Sequence, residues 1–245
     1  MQARLNYRDL QESHGILILS PTAVKKKVII AIDGPAGAGK STIARSLARR
    51  LGFIYIDTGA MYRAVALLAV RADIDLNDAF RMVPVARHVQ IEFGREGAVL
   101  VNGEDVTGAI REPDVSSAAS RVAAIPGVRE AMRDEQRRIG GKSSVVMEGR
   151  DIGTVVFPEA QIKIYLDADP RVRARRRASE TGGDVQQIAQ ELAERDERDR
   201  ARNAAPLMQA PDAEYIDSTR LTPEQVEEAI LKIVRTRTSN GEPHE

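Results

Sequence analysis

Residues 28–51 read VIIAIDGPAGAGKSTIARSLARRL. The β-branched run Val28 to Ile32 predicts a buried strand, which breaks at Asp33-Gly34 into a glycine-rich loop and continues as an amphipathic helix from about Lys40 to Leu51. Gly34 to Ser41 fits the pattern G-x-x-x-x-G-K-[ST], and it lies where the mechanism of that pattern needs it, after a strand and opening a helix. Glycines let backbone N–H groups turn inward around a polyphosphate, and the helix N-terminus adds partial positive charge. A lysine at the position of Lys40 reaches the terminal phosphates, and a hydroxyl at Ser41 suits Mg²⁺. A glycine-rich turn that binds nothing is the competing reading, and this placement argues against it.

Working outward, Phe53 to Ile56 predicts a second strand, and buried runs recur at Ser144 to Met147, Ile162 to Leu166 and Glu214 to Ile216, each separated from the last by helical pattern. Alternation of this kind predicts an α/β fold, a parallel sheet covered by helices on both faces. Val89, Ile91 and Phe93 alternate instead, Gly94 to Gly97 makes a turn, and Ala98 to Val101 runs into Asn102-Gly103, a strong hairpin signal. A small antiparallel meander is therefore expected between the second and third parallel strands. Helical pattern resumes near Asp114, breaks at Pro126-Gly127 and continues to about Ile139; Thr181-Gly182-Gly183 divides two Arg-rich helical stretches and could act as a hinge. The tail from Thr236 is polar, and fraying is expected there.

Lys plus Arg and Asp plus Glu each number 36, so no overall positive field would gather nucleic acid or an anionic membrane. The cations are unusual in kind, seven Lys against 29 Arg, which favours planar bidentate contacts to phosphate or carboxylate, although codon usage would give the same count. There is no Cys, which excludes disulfides, a Cys-ligated zinc and a thiol nucleophile, and His14, His88 and His244 are too far apart for a local metal motif. The longest strongly apolar stretch, Ala64 to Val70, is far short of a membrane helix, and residues 1–24 lack the features of a signal peptide. A cytoplasmic location is the expectation.

A phosphate loop alone does not separate kinases from switches and motors. A guanine-specific switch should carry Asn-Lys-x-Asp, and no such tetrapeptide occurs. After the second strand, Asp57-Thr58-Gly59-Ala60-Met61-Tyr62-Arg63 puts a hydroxyl, a glycine and an arginine at the mouth of a new helix. In an open α/β sheet this lies on the same edge as the phosphate loop, so a second phosphate could face the first. A capped helix with a surface Arg reads the same way. The third strand ends in Glu148-Gly149-Arg150-Asp151; Arg171, Arg173, Arg175, Arg176 and Arg177 crowd the next helix. In the later stretch ERDERDRAR, Arg195, Arg198 and Arg202 share one helical face, with Asp199 beside them. A solvated, salt-bridged helix would account for such a run, whereas opposite a phosphate loop arginines stabilise a moving phosphoryl group.

IDGPAGAGKST, DTGAMYR, SSAASRVAAIPGVRE, GRDIGTVVFP, KIYLDAD and ERDERDRAR together resemble the bacterial cytidylate kinases over about Val28 to Val234. That resemblance implies a P-loop nucleoside-monophosphate-kinase core with a small antiparallel insert in its acceptor-binding part, about 82–112, and a short lid, about 171–195. The kinase domain would span 25–238, after an extension of unassigned role at 1–24 that is open to being disordered and before a polar tail at 239–245. It implies transfer of the γ-phosphoryl group of ATP to CMP or dCMP with Mg²⁺, by a monomer. Gly34, Pro35, Ala36, Gly37, Ala38, Gly39, Lys40, Ser41 and Thr42 would bind ATP, with Ser41 toward the metal. Ser120, Arg129 and Asp151 would read the cytosine edge; Thr58, Arg63 and Arg150 would meet the acceptor phosphate, with Tyr62 lining the pocket. Asp199 would hold the ribose, Arg202 would make another acceptor contact, and Arg176 and Arg195 would act with Lys40 near the transferring phosphate. A kinase for UMP or shikimate, or a nucleotide-binding switch, are the alternatives.

Overall fold

The computed structural model describes residues 27–94, 97–202 and 205–239. The extension expected over residues 1–24 and tail residues 240–245 lie outside these. Strand β1 (Ile29–Asp33) is the buried run at the centre of the chain's main sheet, and its loop delivers helix α1 (Lys40–Leu51) back across that sheet. Four further strands are parallel to it: β2 (Ile54–Asp57), β6 (Val145–Gly149), β7 (Ile162–Asp167) and β8 (Glu214–Asp217). The spatial order is β2-β6-β1-β7-β8, so β1 pairs with β6 on one side and β7 on the other. Since all five run the same way, their carboxyl ends form one edge, and Asp33, Asp57, Gly149 and Asp167 each lead directly into it.

Between β2 and β6 the chain builds the layer that faces this edge. It comprises α2 (Thr58–Arg71), α3 (Ala79–His88), strands β3 (Ile91–Phe93), β4 (Val99–Val101) and β5 (Glu104–Asp105), then α4 (Pro113–Val122) and α5 (Pro126–Gly140). The meander is antiparallel in the order β3-β4-β5, and both turn residues predicted to join its last two strands, Asn102 (φ 51) and Gly103 (φ 84), take the left-handed backbone a tight hairpin needs. α4 and α5 each begin with a proline that lacks the N–H a first turn would leave unpaired. One apolar cluster joins this layer to the sheet through Met61, Val65, Met82, Val128, Met132 and Met147; a second, on the other sheet face, packs α1 and α8 (Pro223–Ser239) on β1 and β7.

The third arm is the helix pair α6 (Pro170–Thr181) and α7 (Val185–Arg200), joined through Gly182 in the left-handed region at φ 73. Two sequence expectations are corrected. α8 continues past Thr236 to Ser239 as helix, because Ile230, Leu231 and Val234 anchor its face on the sheet and carry the polar last turn with them. Arg202 lies beyond the end of α7, so the single helical face expected for Arg195, Arg198 and Arg202 does not form. Among the described residues no helix is long and apolar enough to cross a membrane.

The loop after β1 tolerates no side chain at its first glycine. Gly34 sits at φ +148, and a Cβ there would lie 2.0 Å from the Leu166 carbonyl oxygen of the neighbouring strand. Gly34→Ala should lower unfolding stability by about 3 kcal/mol, by clash plus backbone strain. Gly103→Ala, at φ +84 with nothing within 4 Å of the new Cβ, should cost only about 1 kcal/mol. Urea denaturation midpoints of the two variants would measure the difference.

Candidate active site

Gly37 (φ 76) and Gly39 (φ 95) curl the loop between β1 and α1. Lys40, the first residue of α1, is buried and donates from Nζ to the Pro35 carbonyl at 2.6 Å, folding back across the loop it would serve. Burial and the charge of Arg150 lower its pKa to about 7. Ser41, next in the helix, is exposed and lies toward the Glu148 carboxylate. The backbone curled by these glycines, opening at the N-terminus of α1, fits a polyphosphate.

A cleft beside this loop is lined by residues from β2, α2, α4, α5, β6 and α7 and from the segments between elements, among them Thr58, Tyr62, Ser120, Arg129, Arg150, Asp151, Arg195, Asp199 and Arg202. Its near end is cationic. Asp199 is almost fully buried and accepts from Arg150 Nε at 2.9 Å and from Arg202, with Arg195 alongside. Desolvation would raise the Asp199 pKa, but the three guanidiniums outweigh it and hold it below the usual carboxylate range. Burial, and then the charge of Arg150, lowers the Arg195 pKa to about 10. The Nε atoms of Arg63 and Arg195 are buried with no hydrogen-bond partner among the described residues. Unpartnered guanidinium nitrogens that repel one another require an anion, and they fit phosphate oxygens.

The far end of the cleft is a wall of hydrogen-bonding groups. Arg129, buried on α5, donates to Asp151 Oδ2 at 2.5 Å and to the Ala123 carbonyl, and its guanidinium lies 5.7 Å from the centre of the Tyr62 ring. Ser120 on α4 brings a buried Oγ with no partner among the described residues. Asp151 reaches this wall because the chain after β6 enters a π-helical turn, Ile152–Val156, fixed by Asp33, whose two oxygens accept from Ile152 N (2.9 Å) and Gly153 N (2.7 Å). The carboxylate that ends the phosphate-loop strand thus anchors the segment that carries Arg150 and Asp151. Burial raises the Asp33 pKa to about 6.

The structure gathers Thr58, Tyr62, Ser120, Arg129, Arg150, Asp151, Arg195, Asp199 and Arg202 in one cleft, but not every polar atom faces it. The Thr58 hydroxyl donates to the Glu148 carbonyl at 2.7 Å, and Arg63 is drawn back onto Asp57, which also caps α2. Arg176 stands outside the cleft on the far side of the loop, donating to Ser218 Oγ and Ser218 O and lying 3.5 Å from the Ala38 carbonyl. Of the remaining arginines in these stretches, Arg171, Arg175, Arg177 and Arg198 are exposed, as the solvated-helix alternative expected. Glu148 is the residue that sequence reasoning passed over. It is buried at the carboxyl end of the strand beside β1 and accepts from the Tyr55 hydroxyl at 2.5 Å, and burial beside Asp57 raises its pKa. Its place at the end of the third strand was the available signal.

Sulfate should raise the melting temperature of the wild-type protein more than chloride does at matched ionic strength, because it binds the folded cleft. Arg195→Met should lose that excess, and Arg198→Met, which removes an exposed charge, should keep it; thermal melts with the two salts would decide.

A family model described as cytidylate kinase matches residues 30–236. A protein named cytidylate kinase from Solibacter usitatus is 61% identical over 224 residues, 89% of this chain and 96% of that protein. Proteins of the same name from Pelotomaculum thermopropionicum and Geobacillus kaustophilus are 50% and 46% identical, over 86% and 87% of this chain and 96% and 99% of their own lengths.

Proposed function

The chain belongs to the cytidylate kinase family, and from that premise we propose how its cleft carries out the ATP-dependent phosphorylation of CMP, and of dCMP, to the diphosphate. The observation that carries the reading is the polarity of one cleft. The Arg129–Asp151 pair and the Ser120 hydroxyl stand at one end, and the arginines around Asp199 stand at the other, beside the phosphate loop. A nucleoside monophosphate is a ligand with a hydrogen-bonding base at one end and a dianion at the other. Cytosine offers an exocyclic amine to Asp151 and ring acceptors to Arg129 and Ser120, whereas uracil would turn a carbonyl toward the carboxylate.

The acceptor phosphate has a second pKa of ~6 and is already ionised at neutral pH, so no protein base is needed to generate the nucleophile. The protein's part is alignment and charge. Gly34 through Thr42 hold the donor phosphates with Lys40. Arg63, Arg150 and Arg202 hold the acceptor phosphate, and Thr58 supports the start of α2 beneath it. Asp199 keeps Arg150 and Arg202 apart while offering its remaining lone pairs to the ribose hydroxyls. Arg195, buried and unpartnered, supplies charge where the phosphoryl group moves. Arg176 braces the loop from outside, and the helices of about 171–195 form the lid whose closure excludes water. Ser41 and Glu148 are the groups beside which Mg²⁺ would sit. Its contribution when bound is to offset charge on the phosphate oxygens, and it would take most of its ligands from those oxygens and water.

An ADP-release assay with ATP, Mg²⁺ and CMP, dCMP, UMP, AMP, GMP or shikimate tests the reading. Turnover confined to CMP and dCMP is the expected result, and equal or faster turnover of another acceptor would overturn it. In the same assay Asp151→Ala should lower kcat/KM for CMP by roughly 10² and erode the preference over UMP. Lys40→Met should lower kcat by about 10² or more. Lys40 also sets a pH signature. Without a phosphate partner its pKa near 7 leaves it mostly neutral at pH about 8, and such a partner raises that pKa, so ATP binding there takes up a proton. Uptake should shrink toward pH about 6, where Lys40 is already charged, and should be absent in Lys40→Met. Calorimetry in buffers of differing ionisation enthalpy reads it directly.

A further inference from the structure

Behind the phosphate loop, outside the cleft, two charged side chains are almost wholly buried: Arg173 of α6 (5% exposed) and Asp196 of α7 (2%). Arg173 Nη1 donates to Asp196 Oδ2 at 2.5 Å and to the Ala36 carbonyl at 2.9 Å, while Asp196 Oδ1 accepts from the Ala36 amide at 3.2 Å. Arg173 Nε is held in turn by the Ala168 carbonyl at 3.1 Å. The ion pair therefore closes a ring around a single loop residue and satisfies both of its backbone polar groups. The next residue packs against the same helix, since a Cβ on Gly37 would lie 3.2 Å from Arg173 Cβ and from its carbonyl oxygen.

A buried ion pair is a poor way to gain stability, because desolvation offsets most of the attraction and apolar side chains of equal volume serve as well. Here the apolar contact between the two helices is small: among the described residues its buried members are Ala174, Ala178 and Ile188, with Ala189 and Leu192 packed on them. What sets α7 against the loop is thus chiefly the polar ring at Ala36. Asp196 follows Arg195 in sequence, so one turn of α7 carries both a residue tied to the donor loop and a residue lining the acceptor cleft.

We propose that Arg173 and Asp196 are positioning residues that hold the phosphate loop in its ATP-receiving form and place Arg195 in register with it. The proposal rests on the kinase reading above. With the Ala36 groups satisfied from behind, the amides that follow are left to face the nucleotide, and the helix that supplies Arg195 cannot shift without pulling on the loop.

The test separates this role from mere folding. Removing one partner leaves a buried lone charge, so the informative variant is the double replacement Arg173→Met with Asp196→Leu, which keeps volume and removes both charges. It should melt close to the wild type, yet raise KM for ATP about tenfold and lower kcat about tenfold, with KM for CMP changed by less than about twofold. Asp196→Asn, which keeps an acceptor for the Ala36 amide, should fall between the two. A folded double variant with ATP KM and kcat within about twofold of wild type would overturn the proposal, as would a CMP KM that rises in step with that for ATP. Should the double variant not fold, Arg173→Lys keeps the charge and loses the fork, and the same split applies to it. If the wild type failed to consume CMP, the kinase reading would fail instead, and calorimetric ATP affinity of wild type against variant would still read the clamp.

Discussion

Three arginines share one carboxylate at the mouth of this cleft, and much of the structure can be read as the means of keeping them there. Asp199 holds Arg150 and Arg202 directly and lowers the cost of Arg195 beside them. Each guanidinium arrives from a different part of the chain: Arg150 from the end of β6, Arg195 from within α7 and Arg202 from beyond its end. Like charges in a partly dry space repel strongly, so the arrangement persists only because the elements bearing them are fixed elsewhere, by the parallel sheet for the first and by the helix pair for the others. An incoming phosphate relieves a repulsion that folding has already installed. Binding energy is then realised where charge develops rather than in ordering flexible side chains.

The sheet supplies the geometry. With β1 flanked by β6 and β7, the donor loop and the Arg150–Asp151 segment leave the same edge as neighbours, and Asp33 ties the two by accepting both amides of the π-helical turn. A displacement of the phosphate loop is felt, through the Asp33 carboxylate, at the segment that carries Arg150 and Asp151. The inserted layer closes the other side, with Ser120 and Arg129 brought in on two helices whose proline starts fix where each begins.

Much of this was legible beforehand, and the reasons differ by element. The three inner strands and the phosphate loop announce themselves because buried parallel strands are apolar on both faces and the loop requires glycine at fixed spacing, whereas the buried run expected at Glu214 to Ile216 is an edge strand with only Ile216 buried. The hairpin followed from Asn102-Gly103, since few other pairs accept two successive left-handed residues. The cation cluster was visible as composition but not as geometry. Helical spacing says which arginines share a face and not which face meets the protein, so Arg198 and Arg195 looked alike until α7 was placed. The end of a helix is equally silent, which is why Arg202 was assigned to a face it does not occupy. Arg173, Asp196 and Glu148 went unread for a further reason. Their partners are backbone groups and residues distant in sequence, so position alone, such as that of Glu148 at a strand end, does not reveal what each one holds.

The two outer strands of the main sheet, β2 and β8, are only four residues each, and the exposed margin of β8 is lined by Glu214 and Asp217. An edge strand presents unpaired backbone donors and acceptors to any passing chain, and a long apolar one would recruit a neighbour strand by strand. A margin of four residues offers too little ladder for that to propagate. Crowded copies of this molecule are thereby discouraged from fusing their sheets end to end, a protection against aggregation that is independent of the chemistry at the opposite ends of the same strands.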